Sequence, residues 1–444
     1  APPEFAYTDF GPAGAIISDG RDDRFGFRLV RFANGVRLNL KKTDIRKDRV
    51  SFRLTLDGGQ LLETREAPLK TALVSSLPQG GLGEHSQDEL ETILAGRSVR
   101  LSISASADAF SMGGGTTPRD LALQLQLLAA FLTDPGYRPE GVERYRRNVK
   151  SFFASLDATP AQALGNQLGA ILSDHDPRFT LQPQEAYEAL TFEQLAVDIG
   201  DRLTQGAIEL ALVGDFDEEA AIGLVAQTLG ALPAREGEFN ARAEARQRSF
   251  TQDHSTRRIT HSGEADQALV RMTWLTTDDS DLDETLRLSL LDRVVQIELQ
   301  EQLREDLGKS YSPSSDSSPS KAWPGYGTFA LSASVDVKEV EPTRAAIRDM
   351  LVSLRIAPVE QDVLDRARQP LLEAYENMLD TLEGWMSLAD RSQSEADRLG
   401  RFLRAPDILK AITPADILAT AQRYLAPEDA VEVLVLPREE AGQG

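Results

Sequence analysis

Residues 189–215 read ALTFEQLAVDIGDRLTQGAIELALVGD, and residues 411–437 read AITPADILATAQRYLAPEDAVEVLVLP. Both segments run from an Ala-hydrophobe-Thr entry through an amphipathic helix and a short break into a strand of alternating apolar residues. Thr191 and Thr413 hold the same place in the two segments and lie 222 residues apart. A fixed offset over such a length indicates a duplicated unit, with one copy in each half of the chain.

The strand part of the two segments can be aligned as well. Glu209-Leu210 matches Glu432-Val433, with an offset of 223 rather than 222. We therefore expect the two glutamates to occupy equivalent positions in the two copies.

The front of each unit is rich in strand signals. Asn34-Gly35 is the strongest short hairpin signal and precedes a run of alternating apolar residues. Strands joined by antiparallel hairpins and interleaved with helices predict an α+β fold of two homologous α/β-roll units. Each unit is expected to be a mainly antiparallel sheet covered by helices on one face. The alternating runs are 36–40, 50–56, 270–274 and 329–335.

The polar stretch 234–260 lacks sustained apolar periodicity and marks the boundary between the units. We therefore predict an extended, linker-like N-terminus over 1–19, a first unit over 20–240 and a second unit over 255–444.

Composition excludes several classes of function. The 444 residues carry a formal net charge of −22, which disfavours nucleic acids and anionic membrane surfaces as partners. The absence of cysteine excludes disulfides, thiolate metal sites and a cysteine nucleophile. No apolar run approaches the roughly 20 residues that span a bilayer. The first residue, Ala1, favours a mature protein after signal-peptide removal, so we expect a periplasmic location, with a cytoplasmic one as the alternative.

Residues 301–313, EQLREDLGKSYSP, fit the end of a helix leading into a strand. Arg304 continues an apolar stripe of the preceding helix, so its guanidinium needs either a carboxylate partner or an opening to solvent. Gly308 permits a left-handed turn out of the helix, and Tyr311 follows where a new strand or loop begins. Packing of Tyr311 and pairing of Arg304 with a core carboxylate form the purely structural alternative.

This Arg-Gly-Tyr spacing resembles the R/Y motif in the C-terminal half of pitrilysin- and insulysin-type zinc peptidases. The resemblance covers 20–230 and 260–437 as two units and favours the bacterial proteins of the family. It implies that the hydroxyl of Tyr311 donates to the scissile carbonyl oxygen, and that Arg304 holds the substrate backbone or orients the tyrosine. These two residues are the predicted catalytic and substrate-binding residues.

The family's zinc motif, HxxEH, does not occur in the chain. The resemblance implies that PLKTALVSSLPQGG occupies the place of the family's zinc helix. Thr71, Val74 and Ser75 then stand where the family has His, Glu and His. Lys150 falls where the third ligand, a glutamate, would be, and its ammonium would repel a metal ion. We expect no metal to be bound by this chain.

The four histidines and three further segments can be assigned to loops or turns. The four histidines, His85, His175, His254 and His261, are expected in loops, and MGGGTT at 112–117 in a strand-to-helix turn. SPSSDSSPSK after Tyr311 is expected to be a polar loop. WPGYG at 323–327 resembles the turn into the sheet-edge strand that lines the cleft in the family.

The combined reading is a substrate-gripping subunit of a zinc metalloendopeptidase that hydrolyses peptides. Zinc is expected on a homologous partner subunit in a heterodimer, and this chain alone is expected to be inactive. The expected partners are that subunit and a peptide substrate, with neither nucleic acid nor membrane. Three alternatives stay open: a non-catalytic scaffold, a peptide-binding homodimer, and the C-terminal half of a longer chain.

Overall fold

The computed structural model describes residues 3–307 and 312–441. These residues form two compact units, each assembled from separate stretches of the chain. Unit 1 contains the residues up to Lys150 together with Pro183–Ala245 and Asn377–Gly400, and unit 2 contains Ser151–Gln182, Arg246–Glu376 and the residues from Arg401 onward.

The strands and helices follow one another along the chain in a mixed order. The strands are β1 (Ile16–Arg21), β2 (Arg28–Phe32), β3 (Arg37–Lys42), β4 (Val50–Asp57), β5 (Ser104–Ala105), β6 (Ala109–Thr116), β7 (Ile208–Gly214), β8 (Arg257–His261), β9 (Gln267–Leu275), β10 (Ser312–Pro319), β11 (Gly327–Asp336) and β12 (Val431–Pro437). The helices are α1 (Gln87–Ile93), α2 (Leu121–Thr133), α3 (Glu143–Ala154), α4 (Pro160–Ser173), α5 (Gln184–Glu188), α6 (Phe192–Gln205), α7 (Glu218–Gln227), α8 (Leu282–Leu307), α9 (Val340–Ile356), α10 (Gln361–Asn377), α11 (Leu382–Ala389), α12 (Arg398–Ala411), α13 (Pro414–Tyr424) and α14 (Arg438–Ala441).

The two sheets have matching strand orders. Unit 1 has the order β1-β2-β3-β7-β4-β6-β5, and unit 2 has the order β10-β11-β9-β12-β8. Read from the opposite end, the second sheet repeats the last five strands of the first, with β8, β12, β9, β11 and β10 in place of β3, β7, β4, β6 and β5. In each sheet one pair, β3 with β7 or β8 with β12, is parallel, and the other pairs are antiparallel. The predicted α+β class and the duplicated, mainly antiparallel unit are confirmed.

The duplicated segments form the helix and the strand that the sequence predicts. In the first copy α6 leads into β7, which lies between β3 and β4, and in the second copy α13 leads into β12, which lies between β9 and β8. Both helices begin after a threonine N-cap, Thr191 or Thr413, whose side chain accepts a hydrogen bond from the third residue on. The larger core of each unit lies on the face of the sheet that these helices cover.

The alignment of the two glutamates at an offset of 223 is wrong. Glu209 lies on the face of β7 away from the larger core, because its neighbours Ile208 and Leu210 point into that core. Glu432 lies on the face of β12 that is turned towards the larger core of unit 2, as Leu434 does. Arg344 of α9 donates to it there at 2.6 Å. Side chains alternate along a strand, so an odd offset exchanges the faces, and only an even offset aligns the copies correctly.

One helix from each half of the chain packs on the sheet formed mainly by the other half. In unit 2, Ala163 and Leu164 of α4 pack on Val433 and Val435 of β12. In unit 1, α11 packs on β3, β4 and β7. The predicted division, with a boundary between 240 and 255, would leave 151–182 in the first unit, whereas the structure groups these residues with the second.

These two exchanged helices also belong to the repeat. The N-cap of α4 is Thr159 and that of α11 is Thr381, again 222 residues apart, and each side chain accepts a hydrogen bond from a backbone N–H of the first turn. The duplicated unit therefore begins further upstream than the segments at 189 and 411, and each sheet carries one helix on its second face.

Gly384 in α11 tests how closely the first turn of this helix approaches the turn that precedes it in the chain. A Cβ at Gly384 would lie 1.6 Å from the carbonyl oxygen of Met378, so we expect Gly384→Ala to destabilise unit 1 by about 1–3 kcal/mol through overpacking. The matched control is Gly165→Ala in α4, where a Cβ meets nothing within 4 Å and alanine is the better helix former. Chemical denaturation followed by circular dichroism measures both. Equal stability of the two variants would contradict the close approach of Gly384 to the carbonyl oxygen of Met378.

Candidate functional site

The predicted site lies at the end of α8, the longest helix of the second unit. Its first six turns are buried through eight apolar side chains, while Arg304 in the last turn is exposed. Arg304 forms no ion pair or hydrogen bond with any residue in 3–307 or 312–441. Of the two possibilities open from the sequence, the structure has the guanidinium open to solvent rather than paired with a core carboxylate. Gly308 and Tyr311 lie outside the described residues.

The strand that follows Tyr311 in the chain is β10, which lies at the edge of the second sheet. It pairs with β11 along its whole length, from Ser312 opposite Ser334 to Pro319 opposite Gly327. The predicted polar loop over this segment is therefore wrong. Serine and proline are poor strand formers, but an edge strand accepts proline because one row of its backbone N–H groups needs no partner.

Side-chain hydrogen bonds connect α8 to this edge strand. The hydroxyl of Ser315 donates to the carboxylate of Asp292, and the side-chain amide of Gln296 donates to the carbonyl oxygen of Ser315 at 3.2 Å. Burial raises the pKa of Asp292, although the hydrogen bond from Ser315 acts in the opposite direction. The helix bearing Arg304 and the strand beginning one residue after Tyr311 are thus held together by direct contacts.

The segment 323–327 leads into β11, which has β10 on one side and β9 on the other. The expectation that WPGYG precedes the edge strand is therefore wrong by one strand. Trp323 and Tyr326 are buried, and Arg248 stacks 4.4 Å from the centre of the Tyr326 ring. This turn is a packed part of unit 2.

The segment in place of the zinc helix has no helix of the required kind. Residues Val74–Gly80 form a 3-10 helix that contains Pro78. The hydroxyl of Thr71 donates to Glu63 at 2.5 Å, Val74 is fully buried in the core and Ser75 is exposed. None of these three side chains offers the nitrogen or carboxylate ligand that zinc needs.

The position that corresponds to the family's third zinc ligand lies on α3. Lys150 is exposed there, and Glu143, seven residues earlier, pairs with Arg146 at 3.1 Å. The described part of the chain contains no group of three or more His, Cys, Asp or Glu side chains that could hold a metal ion. The residues at the family's zinc positions therefore do not fit zinc.

Two of the four histidines are buried, which corrects the expectation that all lie in polar loops. The Nε2 of His85 accepts from the backbone N–H of Ala6 at 3.0 Å. His261 ends β8; its Nδ1 accepts from the N–H of Gly263 at 3.0 Å, so its Nε2–H donates to the carbonyl oxygen of Gln267 at 2.7 Å. Both nitrogens of His261 are engaged, and it serves the structure of the strand end.

The other two histidines are exposed. His175 follows α4 in a turn with a positive φ of 61°, and His254 lies in the polar segment before β8. For these two histidines the structure agrees with the expectation of a loop.

Comparisons of this chain with known proteins identify a protein family and several relatives that it resembles. Residues 189–371 match the family model described as Peptidase M16 inactive domain. The stromal processing peptidase of Arabidopsis thaliana is 24% identical over 225 residues, which is 50% of this chain and 18% of that protein. The match thus covers only 18% of the length of the Arabidopsis protein.

Solved structures share the fold. The periplasmic protease PqqL from Escherichia coli has a TM-score of 0.79 at 16% identity, over 96% of this chain and 47% of that chain. The peptidase M16 inactive domain from Pseudomonas fluorescens has a TM-score of 0.72 at 17% identity, over 93% and 98% of the two chains. These findings confirm the resemblance to the pitrilysin-type (M16) peptidases, on the side of their inactive half. No helix among the described residues is long and apolar enough to cross a membrane.

Proposed function

We propose that this chain is the substrate-gripping subunit of a zinc metalloendopeptidase and supplies Arg304 and Tyr311 to the zinc site of a homologous partner subunit. The observation that carries the proposal is the exposed guanidinium of Arg304, which has no partner among the described residues, in the last turn of a helix that buries eight apolar side chains. The positions where the family binds zinc are occupied by residues that cannot bind it, so the metal has to come from elsewhere.

The chemistry of the two side chains fits a role in gripping and polarising a peptide. A guanidinium carries five donors in a fixed fork and can hold peptide carbonyl oxygens without changing its charge. A tyrosine hydroxyl is a neutral donor near pH 7 and can be aimed at an oxygen that becomes negative during hydrolysis. The contacts between α8 and β10 support the precision that such donors need, because they hold the elements on both sides of residues 308–311.

The relatives support the inference of a partner. This chain aligns with 47% of the protease PqqL, and we infer that a zinc-bearing counterpart corresponds to the rest of that protein. The periplasmic description of PqqL supports the same location for this protein.

A non-catalytic peptide-binding subunit is the second candidate. The family match is to a domain described as inactive, and this description alone requires no donation of residues to a partner. The two candidates differ in whether Arg304 and Tyr311 matter for turnover once the complex has formed.

Reconstitution tests the proposal. This chain and a zinc-bearing homologous subunit from the same host are purified separately and mixed at equal concentrations with a fluorogenic peptide. We expect hydrolysis by the mixture and none by this chain alone, because the described residues offer no zinc site. Full activity of the zinc-bearing subunit by itself, with no increase on mixing, would contradict the proposed role.

A further inference from the structure

A cavity of about 960 Å³ lies on the first sheet and is lined by four arginines. Arg46 and Arg49 lie between β3 and β4, Arg53 lies on β4, and Arg100 lies just before β5. The only carboxylate in the lining is that of Glu383 in α11. This local excess of positive charge stands in a chain whose net charge is −22.

Two glycines of β6, the strand beside β4, leave room for part of the cavity. Gly113 pairs with Arg53 and Gly115 with Ser51, so these four residues lie on the face away from the core that contains Phe52, and the two glycines have no side chain there. A Cβ at Gly115 would meet nothing within 4 Å. The glycines predicted to form a strand-to-helix turn therefore lie inside β6, where they leave room over the sheet.

The arginines differ in how they are held. Arg46 and Arg49 are exposed and have no ion-pair partner in the described ranges, while Arg53 pairs with Asp390 at 3.3 Å. The backbone of Arg100 is anchored on both sides by the fully buried Gln124, with two hydrogen bonds of 2.7 Å. Of the four arginines, Arg100 thus has an anchored backbone and Arg53 is paired with a carboxylate. Arg46 and Arg49 have no ion-pair partner among the described residues.

We propose that this cavity binds the carboxylate side chains of an acidic segment of a polypeptide substrate, an inference that rests on the proposed role of the chain in gripping peptides. Guanidinium groups bind carboxylates with paired, charge-assisted hydrogen bonds. The serine hydroxyls of Ser51, Ser102 and Ser111 line the same space and add donors and acceptors for a peptide backbone. A polymer of phosphates fits less well, because the acidic remainder of the chain repels a continuous high charge density.

The test compares two labelled peptides of equal length, one with Asp and Glu residues and one with Asn and Gln in their place, by fluorescence anisotropy with this chain. We expect the acidic peptide to bind at least about tenfold more tightly at low salt, with the difference shrinking as salt is added. The double variant Arg49→Gln/Arg100→Gln should weaken binding of the acidic peptide by about tenfold or more and leave the neutral peptide unchanged. Gly115→Leu should also weaken binding of the acidic peptide, because the leucine side chain would fill part of the cavity.

Arg147→Gln, which removes an exposed arginine of α3 outside the cavity, is the matched control and should change neither affinity. Unchanged affinity of the acidic peptide for the double variant would overturn the inference. Equal binding of both peptides to the unaltered chain would overturn it too, while leaving the gripping role intact. Binding of neither peptide would count against both. Displacement of the acidic peptide by micromolar inorganic phosphate or a short DNA would identify a phosphate site instead.

Discussion

Replacing Tyr311 with phenylalanine is expected to lower the turnover of the assembled complex by ~10²–10³-fold, the usual effect of losing one preorganised donor to a developing oxyanion. The zinc content of the complex should stay the same, because the proposal assigns the zinc ligands to the partner. The measurement is kcat for a fluorogenic peptide, together with the metal content of the same sample.

Three further variants separate this role from a structural one. Tyr375→Phe removes a hydroxyl from a tyrosine whose ring packs on Phe402 and should leave turnover unchanged. Arg304→Ala should raise KM or lower kcat by tenfold or more, about the loss of one charge-assisted hydrogen bond, whereas Arg293→Ala, an exposed arginine on the same helix, should do neither. Normal turnover in both Tyr311→Phe and Arg304→Ala would leave the chain as a non-catalytic peptide-binding subunit.

Replacing Asp57 with asparagine is expected to cost about 3–5 kcal/mol of stability, the penalty for removing one partner of a buried ion pair. Asp57 ends β4, is fully buried, and accepts from Arg202 at 2.9 Å and from Arg242 at 2.6 Å. The backbone N–H of Asn240 donates to its second oxygen at 2.9 Å. The loss should fall near the lower end of that range, because Glu236 also accepts from Arg202. Chemical denaturation at pH 7 measures the change.

The pH dependence of this effect follows from the pKa of Asp57. Burial alone would raise that pKa, but the hydrogen bonds from Arg242 and Asn240 outweigh it and the pKa is lowered. The stabilisation is therefore complete above the unfolded-state pKa of about 3.9 and is lost as the pH falls through the lower folded-state value. The stability difference between the two proteins should shrink below about pH 4.

Asp201→Asn is the matched control, since Asp201 pairs with the same Arg202 at 3.0 Å but its side chain is 57% exposed. We expect a change of less than about 1 kcal/mol there, as for most exposed pairs. A similar loss for both variants would show that burial of Asp57 is not what makes its pairing important.

The sequence predicts the elements whose periodicity is strong. The helix and strand at 192–214 and again at 414–437 follow from apolar spacing, because a buried strand and an amphipathic helix impose different periods on the chain. The sequence does not predict that α4 and α11 exchange places, since the partners of each helix lie far away in the chain. The threonine N-caps of the two helices, Thr159 and Thr381, indicate only that the helices are copies of each other.

The errors have physical reasons of the same kind. Ser312–Pro319 forms an edge strand because pairing with β11 overrides its low strand propensity. The arginine cavity could not be predicted because its four arginines come from two separate segments, 46–53 and the stretch around Arg100, that only the fold brings together. The lack of an HxxEH motif, by contrast, is visible in the sequence itself, because the motif depends only on residue type and spacing.

The most direct test of the central claim is the subunit and zinc content of this chain, tagged and purified from its own host. The proposed split peptidase predicts a second chain of similar mass and about one zinc per pair. A lone chain or a homodimer without zinc would contradict it.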